Sequence, residues 1–405
     1  MNVEERFLKY VSYWTTSDED AETTPSTSRQ FALGRELARE LQELGLSNVV
    51  CDEHCYVYGL LPATAGYEDR KAIGFISHID TAPDFSGEKV HPVLIPDYDG
   101  KDVTLTTTGD VLRVKDFPQL ASRAGQTLIV TDGSTLLGAD DKAGVAEIVT
   151  AMERMQTEQI PHGDIWVGFT PDEEIGRGAD LFDLSYFKAD YAYTVDGDYE
   201  GEIAYENFNA ASADFVIKGV NVHPGSAYHI MVNAAAVACE LQSMLPESET
   251  PSQTRDREGF FHLTSMTGDV ASAHLHYIIR DHDKELFAKR QDLLREIEQK
   301  LNEKYGDGTV TLTVSESYRN MLEVIEKSLF IVEKAKDAIR AVGLEPLSRP
   351  VRGGTDGARL SFMGLPCPNL GTGGDGFHGP FEHITVEAME TVVKILLEIA
   401  KNPAD

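Results

Sequence analysis

The chain has 405 residues, 41% of them hydrophobic and 25% charged, the balance of a soluble globular protein with too much chain for one ordinary core, so about two domains are expected. Its formal net charge of −31 argues against nucleic acid or an anionic membrane surface as a partner, because the long-range field repels phosphate. Part of that excess is solvated surface, and an acidic cleft filled by cations would contribute in the same direction.

Four cysteines, Cys51, Cys55, Cys239 and Cys367, are too few and too scattered for a disulfide framework and fit a reducing cytoplasm. Cys51 and Cys55 flank His54, but no second pair follows at finger-like spacing, so they read as ordinary thiols beside a turn. The opening MNVEERFLKYVSYW has early acidic residues and no long apolar core, unlike a secretory signal or an anchor. No window reaches the ~20 apolar residues of a membrane span.

In chain order, helical periodicity is expected over 3 to 14 and 29 to 44, the second with Leu33, Leu37, Leu41 and Leu44 on one face and Gly45 placed to end it. Short strands follow at 49 to 52, 56 to 61 and 72 to 78, then a turn-rich excursion to about residue 126. QTLIVTDGSTLLGADDKAGVAEIVTAMERM passes from a strand through a Gly/Asp loop into a helix near 141; DIWVGFTPDEEIGRGA repeats strand and polar loop, and ADYAYTVDGD ends a strand at Asp196. This alternation predicts an α/β fold, a mixed sheet between helical layers, with ligands at the strand ends. From about 208 the order becomes strand, helix 232 to 245, two strands, helix 283 to 304 and strand, the order of a ferredoxin-like α+β sandwich. Residues 208 to 320 therefore read as a domain inserted into one built from 1 to 207 and 321 to 405.

The chemistry-bearing residues fall in the strand-end loops. In GFISHIDTAPD, His78 and Asp80 sit i, i+2 and point the same way from an extended segment. A carboxylate there can hold one ring N–H and leave the other nitrogen for a metal. GADDKAG offers adjacent Asp140 and Asp141, as a bridge between two cations or as a helix cap. In TPDEEIG, neighbouring Glu173 and Glu174 can divide metal ligation from proton transfer, or form a solvated acidic turn. Asp196 is a ligand or a turn former before Gly197. GTGGDGFHGPFE places His378 in a glycine-rich loop that lacks the Lys/Ser pair of a phosphate cradle.

The order His-x-Asp, Asp-Asp, Glu-Glu, Asp, His, together with VHPGSA, IIRD and RGGTDGA, resembles the metallopeptidase family that includes aminoacylase, succinyl-diaminopimelate desuccinylase and the glutamate carboxypeptidases, and within it the aminopeptidases of tripeptides. The resemblance implies two zinc ions, with manganese or cobalt compatible by ligand type. By position His78, Asp140 and Asp196 hold one ion and Asp140, Glu174 and His378 the other. Asp80 orients His78, and Glu173 is the general base.

His223 in NVHPGSA is a turn histidine on its own evidence, whereas the matching histidine of the family donates to the developing oxyanion. Arg280 and Arg352, with Asn233 as a weaker third, are candidates for gripping a peptide's terminal carboxylate, with surface salt bridging as the alternative for Arg352. The implied substrates are short peptides with a free N-terminus, tripeptides foremost. Related dipeptidases, carboxypeptidases and N-acyl amino acid deacylases share the same metals, and a non-catalytic peptide-binding protein could share the fold. The inserted domain is of the lid or dimerisation type, so a homodimer is compatible, and His223 could act in its own chain or in a second copy.

Overall fold

The computed structural model describes residues 1–401, so the last four residues of the expected outer domain lie outside the described part. The chain divides into two compact units: Met1–Tyr205, Glu323–Arg349 and Thr355 onward form the first, and Glu206–Leu322 with Pro350–Gly354 the second.

The first unit is built on a seven-stranded mixed sheet, in spatial order Ser47–Cys51, Val57–Leu61, Ile165–Thr170, Ile73–His78, Tyr191–Gly197, Asn369–Gly371, Ile203–Ala204. Ile73–His78 runs parallel to both of its neighbours, and every residue of this strand is buried. A central parallel strand covered on both faces reads as a continuous apolar run, which is how IGFIS reads. One face, with Ile76, Trp166 and Ala192, is covered by Phe182, Phe187 and Leu360. On the sheet's other side the helix Ala139–Thr157 packs against Ile73–His78 and Tyr191–Gly197. Gly144 permits that approach, since a Cβ there would collide with the main-chain oxygen of Val195 and the Ser77 hydroxyl.

One feature departs from the expected layout. The strand Leu128–Thr131 belongs not to the main sheet but to a three-stranded one with Pro92–Ile95 and Ile384–Thr385. The reason is local burial: Leu128 and Val130 close a small separate core with Tyr98, Leu105, Leu112 and Leu120 from the turn-rich excursion. The Cys51 and Cys55 thiols lie together, both against Gly34 and hydrogen-bonded to each other, with His54 Nδ1 3.2 Å from the Thr24 carbonyl oxygen.

The second unit is a four-stranded antiparallel sheet, in order Phe260–Gly268, Ser272–Asp281, Asn209–Lys218, Val310–Tyr318. The helices Ala234–Ser243 and Lys284–Tyr305 pack against it through Val237, Leu241, Phe287, Leu294 and Ile297. This strand order with two helices is the ferredoxin-like arrangement. Pro350–Gly354, assigned from sequence to the outer domain, clusters here instead: Val351 bridges Asn207, and its carbonyl oxygen lies 3.1 Å from His282 Nε2. Among the described residues no helix is long and apolar enough to cross a membrane.

Candidate metal centre

The parallel register brings strand ends together. His78 is the last residue of its strand, opposite Thr170 of the neighbouring one, and Asp196 lies at the end of the next. After Thr170 the chain turns through Asp172, at φ +57°, whose carboxylate accepts hydrogen bonds from Ser26 N at 2.6 Å and Gln30 Nε2 at 2.7 Å. That anchor sets up the short 3-10 turn Glu173–Ile175.

Asp140 sits where the loop enters its helix, and its two carboxylate oxygens face different histidines. Oδ1 is 3.0 Å from His78 Nε2, and Oδ2 is 3.2 Å from His378 Nε2. His78 Nε2 is also 3.4 Å from Asp196 Oδ1, and His378 Nε2 is 2.9 Å from Glu174 Oε2. All five residues named as ligands are therefore brought together, in the two groups joined through Asp140.

Asp80 is fully buried. His78 Nδ1 lies 3.1 Å from the main-chain oxygen of Asp80 and 3.4 Å from its Oδ1. The Asp80 carboxylate accepts the backbone N–H of Glu173 at 3.0 Å and of Glu174 at 3.3 Å. It thus braces the histidine and the paired glutamates at once.

The electrostatics are those of buried carboxylates that outnumber the positive groups around them. Burial pulls the His78 imidazolium down, but Asp196, Asp140 and Asp80 outweigh it and raise its pKa well above the ordinary value. Hydrogen bonds to Asp140 and Glu174 push His378 up to about 11. Burial, followed by the Asp140 charge, lifts Glu174 to about 8, and burial with the nearby Asp196 charge raises Glu173 well above the usual range. Glu174 Oε1 and Asp141 Oδ1 are buried with no hydrogen-bond partner. A buried oxygen left unpaired is costly. A nitrogen-and-oxygen donor set with surplus negative charge and orphaned oxygens fits divalent cations.

Several contributors escaped the sequence reading. Asp141, read there only as a bridge or cap alternative, is buried; its Oδ2 accepts from the Ser77 hydroxyl and from His78 N at 3.1 Å, and it groups with His78 and Asp196 as a set able to hold an ion. Asp84 Oδ2 lies 3.5 Å from His378 Nδ1. Glu382 accepts the N–H groups of Leu137, Gly138 and Asp140 at 2.6, 2.8 and 2.9 Å, and so holds the loop that carries Asp140. Glu382 stands four residues after His378, but its partners lie more than 200 positions upstream, and no local pattern announces them.

The remaining candidates lie in the second unit. His223 is exposed and accepts the Gly225 N–H on Nδ1 at 3.1 Å. Asn233 caps the helix Ala234–Ser243, its Oδ1 accepting from Ala236 N at 3.2 Å. Arg280 donates to the carbonyls of Ile279 at 2.9 Å and Ala211 at 3.2 Å, with its guanidinium over the Tyr318 ring. Arg352 is held by a different set of contacts. It donates to the carbonyls of Asp256 at 2.8 Å and Glu258 at 3.1 Å and to Thr254 Oγ1 at 3.2 Å, and it packs over Phe208 and Phe260. These contacts staple a loop and are not a surface salt bridge.

Residues 131–402 match the sequence profile of peptidase family M20/M25/M40. The chain belongs to that family. It is 53% identical over 403 residues, 98% of each chain, to a protein of Caldanaerobacter subterraneus subsp. tengcongensis named peptidase T. It is 52% identical to the peptidase T of Aliivibrio fischeri, over 98% of this chain and 97% of the other. Among solved structures, an aminopeptidase of Bacillus cereus superposes with a TM-score of 0.79 at 24% identity, covering 99% of this chain and 97% of that one. A dinuclear metal binding peptidase of the M20 family from Bacillus subtilis gives 0.65 at 15% identity, covering 98% and 96%.

Proposed function

We propose that the chain is a cytoplasmic dizinc aminopeptidase that removes the N-terminal residue from short peptides, tripeptides foremost. The observation that carries this reading is Asp140 turned with one oxygen toward His78 and the other toward His378, the posture of a carboxylate shared by two cations. His78, Asp140 and Asp196 would hold one zinc and Asp140, Glu174 and His378 the other, with manganese or cobalt as substitutes. Bound there, two such ions would supply Lewis acidity and lower the pKa of water.

The chain's own groups account for the proton transfers. Glu173, a carboxylate on the turn beside the proposed ligand Glu174, would take a proton from the attacking water and return it to the leaving amine. Asp80 fixes the turn on which Glu173 stands. His223 accepts on Nδ1, so its neutral ring carries the proton on Nε2, the donor that the oxyanion role requires. Arg280, with Asn233 beside the same reading, grips the peptide's terminal carboxylate. The relatives named peptidase T support peptide substrates, and a homodimer formed through the inserted unit belongs to the same proposal.

The deciding experiment is a panel of di-, tri- and tetrapeptides with free and blocked N-termini, assayed with and without chelator. Release of the first residue from free tripeptides, abolished by chelator, is expected. Preference for blocked substrates would favour a deacylase, and release from the other end a carboxypeptidase. Binding without turnover would leave only a peptide-binding role.

A further inference from the structure

The inserted unit carries a second cluster of metal-type side chains that the proposed reaction does not use. On the strand Ser272–Asp281, Ala273, Leu275 and Tyr277 are buried in the core, while His274 and His276 point to the opposite, solvated face. Strand alternation puts this i, i+2 pair side by side. Asp214, on the adjoining strand Asn209–Lys218, stands directly across from His276. Its Oδ1 lies 2.8 Å from His276 Nδ1 and 2.8 Å from His274 Nε2. One carboxylate oxygen is thus the shared focus of two imidazoles.

We propose that His274, His276 and Asp214 form a further binding site for a borderline divalent cation of the zinc, copper, nickel or cobalt class. A ring proton on His274 Nε2 and one on His276 Nδ1 would make these contacts hydrogen bonds to Asp214 Oδ1. Moving each proton to its ring's other nitrogen frees His274 Nε2 and His276 Nδ1 as lone-pair donors. The cation then takes the place of two hydrogen bonds, held by two imidazoles and a carboxylate, with water completing its coordination. Hydrogen bonding from His276, against a smaller burial cost, holds the Asp214 carboxyl below the usual range, so the third donor is already anionic.

The surroundings leave room for this. The residues in register beside the trio include the small polar Thr267 opposite His274, Ser265 opposite His276 and Thr313 opposite Asp214, with Val216 flanking His274 on its other side. The His274, His276 and Asp214 side chains are 46%, 34% and 36% exposed, so all three are free to turn and close on the ion. A chain of net charge −31 also concentrates cations near its surface. Two imidazoles select against magnesium and calcium, which prefer all-oxygen shells.

The test is equilibrium dialysis of the tag-free full chain against micromolar free Zn2+, followed by metal analysis, for the unaltered protein, His274→Ala, His276→Ala and Asp214→Asn. The unaltered protein should retain one more zinc per chain than either histidine variant. Asp214→Asn should weaken that extra ion by about tenfold. Peptide hydrolysis and thermal melting should be the same in all four. Because the comparison is a difference between variants, it stands whether or not the first unit binds two ions. Equal zinc content across the series, or an extra ion that survives both histidine substitutions, would overturn the site.

Discussion

The Asp80 carboxylate accepts the backbone N–H of Glu173 at 3.0 Å, while the same residue's carbonyl oxygen lies 3.1 Å from His78 Nδ1. One buried residue therefore couples the aim of a metal-type histidine to the position of the proposed base. Asp80→Ala should lower kcat or metal affinity by roughly 10- to 100-fold. Asp80→Asn, which keeps an acceptor oxygen, should lose less. Parallel kinetics and metal titrations on the two variants check this, and equal losses would remove the acceptor argument.

Glu173→Ala should reduce turnover by about 10²- to 10⁴-fold, the range of general acid–base catalysis, with metal content unchanged. Metal analysis on the inactive variant separates the base from a ligand. Retained activity would rule it out as the base.

Dialysis against chelator should abolish hydrolysis, and restoring zinc should recover it with about two ions bound per chain, as a shared-ligand site requires. Acidification should act in the same direction. His378 is pushed up to about 11 by Asp140 and Glu174, and His78 is also raised, so protons compete for the ligand nitrogens and apparent metal affinity falls as pH falls. Affinity independent of pH between 5 and 8, checked about the range where free histidine titrates, would contradict the assignment of the two histidines as ligands.

Glu382→Ala strands three backbone N–H groups on the loop carrying Asp140. Unmade buried hydrogen bonds cost about 1–3 kcal/mol each, so a lower melting temperature and reduced metal content are expected together. Circular dichroism melts paired with metal analysis read both.

The two arginines should separate. Arg280→Ala should raise KM for tripeptides with free carboxyl termini more than for their amides, and His223→Ala should lower kcat by ~10²-fold if it donates to the oxyanion. Arg352→Ala, which removes the staple on the Thr254–Glu258 carbonyls, should lower thermal stability and leave the carboxylate discrimination intact.

The sequence alone determined the mixed α/β fold, the ferredoxin-like order of the middle segment and the five ligand-type residues. The strands and turns are local signals, set by alternation and turn chemistry within a few residues; each loop alone also reads as a cap or a solvated turn, and the ligand set rests on the order of motifs shared with the family. What only the tertiary structure decided is non-local. Leu128–Thr131 left the main sheet because Leu128 and Val130 are needed in a separate small core. Arg352 became a staple because Phe208, Phe260 and the 254–258 carbonyls meet it from more than 90 positions away. Glu382 acquired its three N–H groups in the same way, and Asp80 came to hold the Glu173 turn from 93 positions upstream. Side-chain type says what a residue can do, but which backbone groups lie within hydrogen-bond reach is settled only when the chain closes on itself.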